Sequence, residues 1–91
     1  MLKIVTSKKF LKDLIIAKKR GLDLSLLNEV ITKLANKEKL EPKYKDHALS
    51  GIYHDFRECH VKNDWLLIYS IDEDEIELFL FRNGTHSDLF K

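Results

Sequence analysis

The chain has little of what would commit it to several common designs. It holds one cysteine, Cys59, so no intramolecular disulfide can form and the core must close on packing alone. One proline, Pro42, and three glycines leave few forced breaks, which excludes a loop-dominated or low-complexity chain. No apolar run approaches the ~20 residues that span a bilayer. Lys3, Lys8, Lys9 and Lys12 interrupt the apolar residues near the N-terminus, so no signal peptide is expected. Neither charge sign dominates, and the net charge is +1. These absences point to a reduced, soluble, cytoplasmic protein with no membrane partner.

What is present is a single small domain, residues 1–91, with 44% apolar residues, enough for one core. Its charge is segregated. Residues 1–45 carry 12 Lys and Arg against 5 Asp and Glu, and residues 46–91 carry 4 against 10. A basic half can follow a phosphate backbone or an acidic partner, although lysines on the outer faces of helices also serve as simple solvation.

The apolar period divides the chain. Leu2 to Val5 reads as a short strand. Thr6 or Ser7 can cap a helix whose stripe is Phe10, Leu11, Leu14, Ile15 and Ala17, with Lys18, Lys19 and Arg20 in the last turn and Gly21 as the stop. Asp23 starts a second helix on Leu27, Val30, Ile31 and Leu34, which fades before Pro42. Glu41 to Gly51 reads as a loop. Strands are then expected over Tyr53 to Val61, Trp65 to Ile71 and Ile76 to Arg82, separated by the Lys62-Asn63-Asp64 turn and the acidic turn Asp72 to Glu75. Two helices followed by hairpin-linked strands predict an α+β fold: a short N-terminal strand and a helical hairpin packed on one face of an antiparallel sheet.

The uncovered face is where side chains can do chemistry. His60, Asp64, Arg82 and His86 converge there if the strands pair through consecutive turns, and His47 lies in the preceding loop. Such a set suits phosphodiester cleavage. One imidazole takes a proton from an RNA 2′-hydroxyl, a second gives one to the leaving oxygen, and an arginine offsets the charge growing on phosphorus. Trp65, Phe90 and Tyr53 can stack on bases. Unrelated surface histidines, a plain Arg82–Asp64 ion pair and a core Trp65 are the structural alternatives. The spacing of His47, His60 and His86 does not favour zinc, and no metal or other cofactor is expected.

Four stretches carry a resemblance. Asp46 to Gly51, Phe56 to Lys62, Asp64 to Tyr69 and Arg82 to Phe90 resemble, in order, the motifs of the YafQ branch of the RelE/ParE toxins, a fold similar to microbial ribonucleases. Asn63 stands where proline is common in the family, and Thr85 where serine is. The resemblance implies a toxin of a type II toxin–antitoxin pair, an mRNA endoribonuclease acting in the ribosomal A site. It implies His47, His60, Asp64, Arg82 and His86 as catalytic residues, with His60 or His47 as base helped by Asp64, and His86 as acid. Trp65 and Phe90 would shape the RNA site, while Lys8, Lys9, Lys12, Lys18, Lys19 and Arg20 would contact ribosomal RNA. The implied partners are the ribosome with its mRNA and a DinJ-like antitoxin of ribbon-helix-helix type, through which alone operator DNA is bound. A ParE-like toxin acting on gyrase, or a non-catalytic member of the fold, are the alternatives.

Overall fold

The computed structural model describes residues 1–90. Strand β1 is Lys3–Thr6, followed by helices α1 (Lys8–Lys19) and α2 (Leu24–Ala35). Strands β2 (His47–Ala48), β3 (Arg57–Lys62), β4 (Trp65–Asp72) and β5 (Glu77–Gly84) follow, and the short helix α3 (His86–Phe90) ends the described chain. Local chemistry sets these limits. Ser7 caps α1 by accepting the Phe10 N–H at 2.9 Å, and Gly21, at φ 78°, turns the chain out of it. Asp23 caps α2 through the Ser25 N–H.

The sheet order is β1-β5-β4-β3-β2. The β2–β3, β3–β4 and β4–β5 pairs are antiparallel, but β1 lies parallel to β5, so the sheet is mixed where an antiparallel one is expected. A chain that leaves β1 through a helical layer returns beside it in the same direction, as parallel pairing requires a long crossover. The strand β2 and the helix α3 also have no counterpart in the sequence reading. A two-residue strand carries too little period to be seen, and α3 is held by side chains rather than by an apolar stripe. The strand expected from Tyr53 begins only at Arg57, because Gly51–Tyr53 forms a single helical turn.

Alternation along β4 divides the sheet into two faces. Trp65, Leu67 and Tyr69 join Leu78, Leu80, Phe10, Ala17, Leu27, Val30 and Leu34 in the main core beneath the two helices. Each fully buried leucine there contributes about 1.5–3 kcal/mol relative to exposure. On the other face Leu66 and Ile68 pack with Leu89, Leu49, Phe56 and Phe81. That face is therefore half covered, by α3 and the segment before β3.

Helix α1 departs from its expected stripe. Phe10, Asp13 and Ala17 form the buried line, whereas Leu11 and Ile15 are 49% and 59% exposed. At 3.6 residues per turn Leu11 and Ile15 lie away from the Phe10–Ala17 line, so an aspartate occupies the inner face. Its partners are in β5.

Candidate active site

Cross-strand register builds the site as two rows on the half-covered face. His47 pairs with Glu58, Glu58 with Ile68, and Ile68 with Arg82. In the next row His60 pairs with Leu66 and Leu66 with Gly84. Gly84 leads directly into α3, and Leu89 seats that helix over Leu66 and Ile68. His86 thereby stands over the second row, with its ring centroid 6.3 Å from that of His60.

Each of these imidazoles is held by one nitrogen. His60 Nδ1 lies 3.1 Å from the Asn63 carbonyl, which can only accept, so Nδ1 carries hydrogen and Nε2 is left for substrate. Asn63 takes the left-handed conformation at φ 37°, which asparagine adopts more readily than other residues with a side chain. His86 Nδ1 donates to Asp64 Oδ1 at 3.2 Å, and the same oxygen accepts the His86 backbone N–H at 3.0 Å. These two bonds, the backbone one first, hold the Asp64 carboxyl below its ordinary range, so it is ionised at neutral pH. Asp64 therefore orients His86 and the start of α3. It makes no hydrogen bond to His60, contrary to the expectation that it assists the base.

The remaining expected residues are placed unequally. Arg82 gives Nε and Nη2 to Asp13 at 2.8 and 3.0 Å, leaving Nη1 outside that pair. This hydrogen-bonded pairing holds the guanidinium above its ordinary value despite partial burial. The ion pair weighed between Arg82 and Asp64 does not form. His47 Nδ1 faces the Lys45 carbonyl at 2.7 Å and its Nε2 faces Glu58 Oε2 at 3.2 Å, so neither ring nitrogen is free. Its strand lies three away from that of Arg82, about 14 Å at the usual strand spacing.

Trp65 does not form a stacking platform. Only 4% of it is exposed, and its indole N–H donates to Asn83 Oδ1 at 3.2 Å, because alternation sends position 65 into the core. Phe90 is 40% exposed and reaches both His86 and Tyr53 with centroids 5.8 Å apart, at the edge of an aromatic cluster with Phe56, Phe79 and Phe81. Lys8, Lys9, Lys12, Lys18 and Lys19 are exposed on α1, in the layer on the far side of the sheet. Arg20 is not a free cation. It grips Asp88 of α3 at 2.6 and 3.2 Å.

Three acidic residues outside the expected set complete the site's surroundings. Asp13 sits on a helix among apolar neighbours and reads as solvent-facing until Arg82 and the Asn83 N–H are seen on it. Asp88 forms a reciprocal cap with Thr85: Thr85 N–H donates to Asp88 Oδ2, and Asp88 N–H to Thr85 Oγ1. The Thr-x-x-Asp spacing signals such a cap in principle. Glu58 is buried at 4% exposure, with Oε1 unpartnered among the described residues. Its signal was the shared alternation with His60.

A sequence model of the family described as the bacterial toxin of type II toxin–antitoxin systems, YafQ, matches residues 2–91. The chain is 40% identical over 86 residues to the mRNA interferase toxin YafQ of Escherichia coli K12, covering 92% of this chain and 90% of that protein. A metal-bound toxin from Helicobacter pylori superimposes with a TM-score of 0.93 at 58% identity, covering 99% of this chain and all of the other (100%). The toxin in a crystal structure of the E. coli DinJ–YafQ complex gives a TM-score of 0.90 at 37% identity over 100% of both chains. The fold and the sequence thus agree on a class, the small toxins of type II toxin–antitoxin systems. Within that class the chain belongs to the YafQ family.

Proposed function

We propose that the chain is an mRNA interferase, an endoribonuclease that cuts messenger RNA on the ribosome and so stops translation. The observation that carries this reading is the His60–His86 pair: two imidazoles with centroids 6.3 Å apart, each fixed through Nδ1 and each with an Nε2 that no described residue engages. Two rings so spaced can address different oxygens of one phosphate.

Neutral His60 accepts the 2′-hydroxyl proton at Nε2 as that oxygen attacks phosphorus. The bond from phosphorus to the 5′-oxygen breaks, and protonated His86 gives its Nε2 proton to that oxygen. The products are a 2′,3′-cyclic phosphate and a 5′-hydroxyl. Asp64 keeps the His86 ring in place, and Arg82, aligned by Asp13, offers Nη1 to the phosphorane-like transition state. His47, with both nitrogens engaged, supports Glu58 and the β2–β3 edge rather than taking the proton. Phe90 and Tyr53 provide the aromatic surface for a base. These transfers need only the two imidazoles, and their place of work is the cytoplasm, where ribosomes are.

The partner follows from the family. The E. coli relative has been solved with DinJ, and a DinJ-like antitoxin is the expected inhibitor here, repressing the shared operon through its own DNA-binding domain. The metal-bound Helicobacter relative suggests a second control. Two free imidazole nitrogens suit a transition-metal ion, and an ion on His60 and His86 would block proton transfer and inhibit cleavage.

The test is a reconstituted translation reaction with 5′-end mapping. The intact protein cuts mRNA in the ribosomal A site, while His60→Gln and His86→Gln do not. A His86→Gln variant that cuts at the wild-type rate contradicts the assignment.

A further inference from the structure

We propose that a basic groove beside His60 binds phosphates of the RNA on the 5′ side of the cut, which gives the substrate a direction across the site. The inference rests on the nuclease reading above. The groove encloses about 530 Å³ and is lined by Lys43, Tyr44, Lys45, Lys62 and His60, with Leu26 and Val61 among its apolar walls. That volume falls within the usual range of small-ligand sites, about 300–1,000 Å³.

Strand pairing makes it a track. Because β2 covers only Arg57 and Glu58, the His60–Lys62 end of β3 has no strand beside it on that side, and the groove lies between it and residues 43–45. His60 belongs both to this open edge and to the pair at the scissile phosphate, so a chain lying in the groove runs directly into the site.

Charge makes it a phosphate track. Arg20, Lys33, Lys37, Arg57 and Arg82 are all taken up in ion pairs. Among the described residues Lys43, Lys45 and Lys62, like Lys3, Lys39 and the lysines of α1, form no ion pair, and these three are exposed together in one groove. Lys43 Nζ lies 5.1 Å from the centre of the Tyr44 ring, a contact that steadies the ammonium without neutralising it. Among the described lining residues Glu29 is the one carboxylate, and it faces Lys33 at 3.9 Å; Asp23, beyond the lining, feels the charge of Lys62 only as the weakest of its influences.

The backbone supports the same reading. Lys45 and Asn63 both take the left-handed conformation, at φ 48° and 37°. Each turns its carbonyl onto an imidazole, Lys45 onto His47 and Asn63 onto His60, and both line the groove.

Direction follows from chemistry. The 2′-hydroxyl that His60 deprotonates belongs to the nucleotide on the 5′ side of the scissile phosphate. The groove on the His60 side therefore takes the upstream strand, and the Phe90–Tyr53 surface beside His86 takes the downstream one.

The probe is a labelled single-stranded RNA with one 2′-deoxynucleotide at the cleavage position, titrated across salt concentrations. In the triple Lys43→Gln, Lys45→Gln, Lys62→Gln variant the affinity is expected to fall about tenfold or more at low salt. The slope of log affinity against log salt should shrink by about 2, at ~0.7 per phosphate contact on single strands. The matching triple arginine variant should keep both. An RNA retaining only the upstream nucleotides should show the same loss, and one retaining only the downstream nucleotides should not. An unchanged slope, or an arginine triple as weak as the glutamine triple, overturns the proposal. A loss seen only with empty ribosomes overturns it as well, since the phosphates would then be ribosomal. Wild-type cleavage is measured alongside: a protein that cuts no RNA sinks the nuclease reading, while the uncleavable probe still decides the groove.

Discussion

One oxygen of Asp64, Oδ1, accepts hydrogen bonds from both the backbone N–H and the ring Nδ1 of His86, at 3.0 and 3.2 Å. A residue on the β3–β4 turn thereby fixes the orientation of the acid and the first turn of the helix that carries it. Replacing Asp64 with Asn leaves the shape but removes the charge. Cleavage by this variant is expected to fall about 10²-fold, within the usual range for a disturbed acid–base group. Single-turnover kinetics with bound RNA would show the loss in the chemical step, and a loss confined to RNA affinity would contradict it.

Acid should release α3. Asp64 and Asp88 both have carboxyls lowered from their ordinary value, Asp64 first by the His86 N–H and Asp88 first by Arg20. A depressed folded-state value means that the anchoring is fully present above the unfolded value, about 4. It is lost as the pH falls through the lower folded values. Heteronuclear NMR of the His86 and Phe90 signals should therefore show α3 docked at neutral pH and detaching below about pH 4, before the core melts.

Arg20→Ala tests the clamp from the opposite direction. Since Arg20 holds Asp88 rather than lying free, its loss should lower the maximal cleavage rate several-fold while RNA affinity changes little. The exchanged pair Arg20→Asp with Asp88→Arg should recover part of that rate. If affinity falls and rate does not, the ribosomal RNA role implied by the family resemblance is the better description of Arg20.

Trp65→Ala should behave as a core mutation. A buried tryptophan truncated to alanine costs about 3–5 kcal/mol, and the Asn83 hydrogen bond goes with it. Chemical denaturation measures this directly. Cys59 shares the core: burial pushes its thiol up to about 12, so alkylation at neutral pH should be negligible until the protein unfolds.

The layers of the fold were legible because α2 and β4 carry clean periods. Leu27, Val30, Ile31 and Leu34 lie on one helical line, and Trp65, Leu67 and Tyr69 alternate with Leu66 and Ile68. The convergence of His60, Asp64 and His86 could also be anticipated, since consecutive hairpins bring those strand ends together. What could not be read were contacts made by distant charges. Asp13 and Arg82 are joined across 69 residues, and Arg20 and Asp88 across 68. No local period marks such pairs. The parallel β1–β5 contact leaves no local mark for the same reason, and at Trp65 the core alternative holds over the RNA-contacting one, because alternation buries it.

The central claim is that His60 and His86 divide base and acid duties on one phosphate. Its most direct test is the end chemistry and rate of single-turnover cleavage by wild type, His60→Gln, His86→Gln and the double variant, using ribosome-bound mRNA. The account predicts 2′,3′-cyclic phosphate and 5′-hydroxyl ends from the wild type. Each single variant should lose about 10²-fold or more. Ends bearing a 5′-phosphate, or a wild-type rate in either single variant, would contradict it.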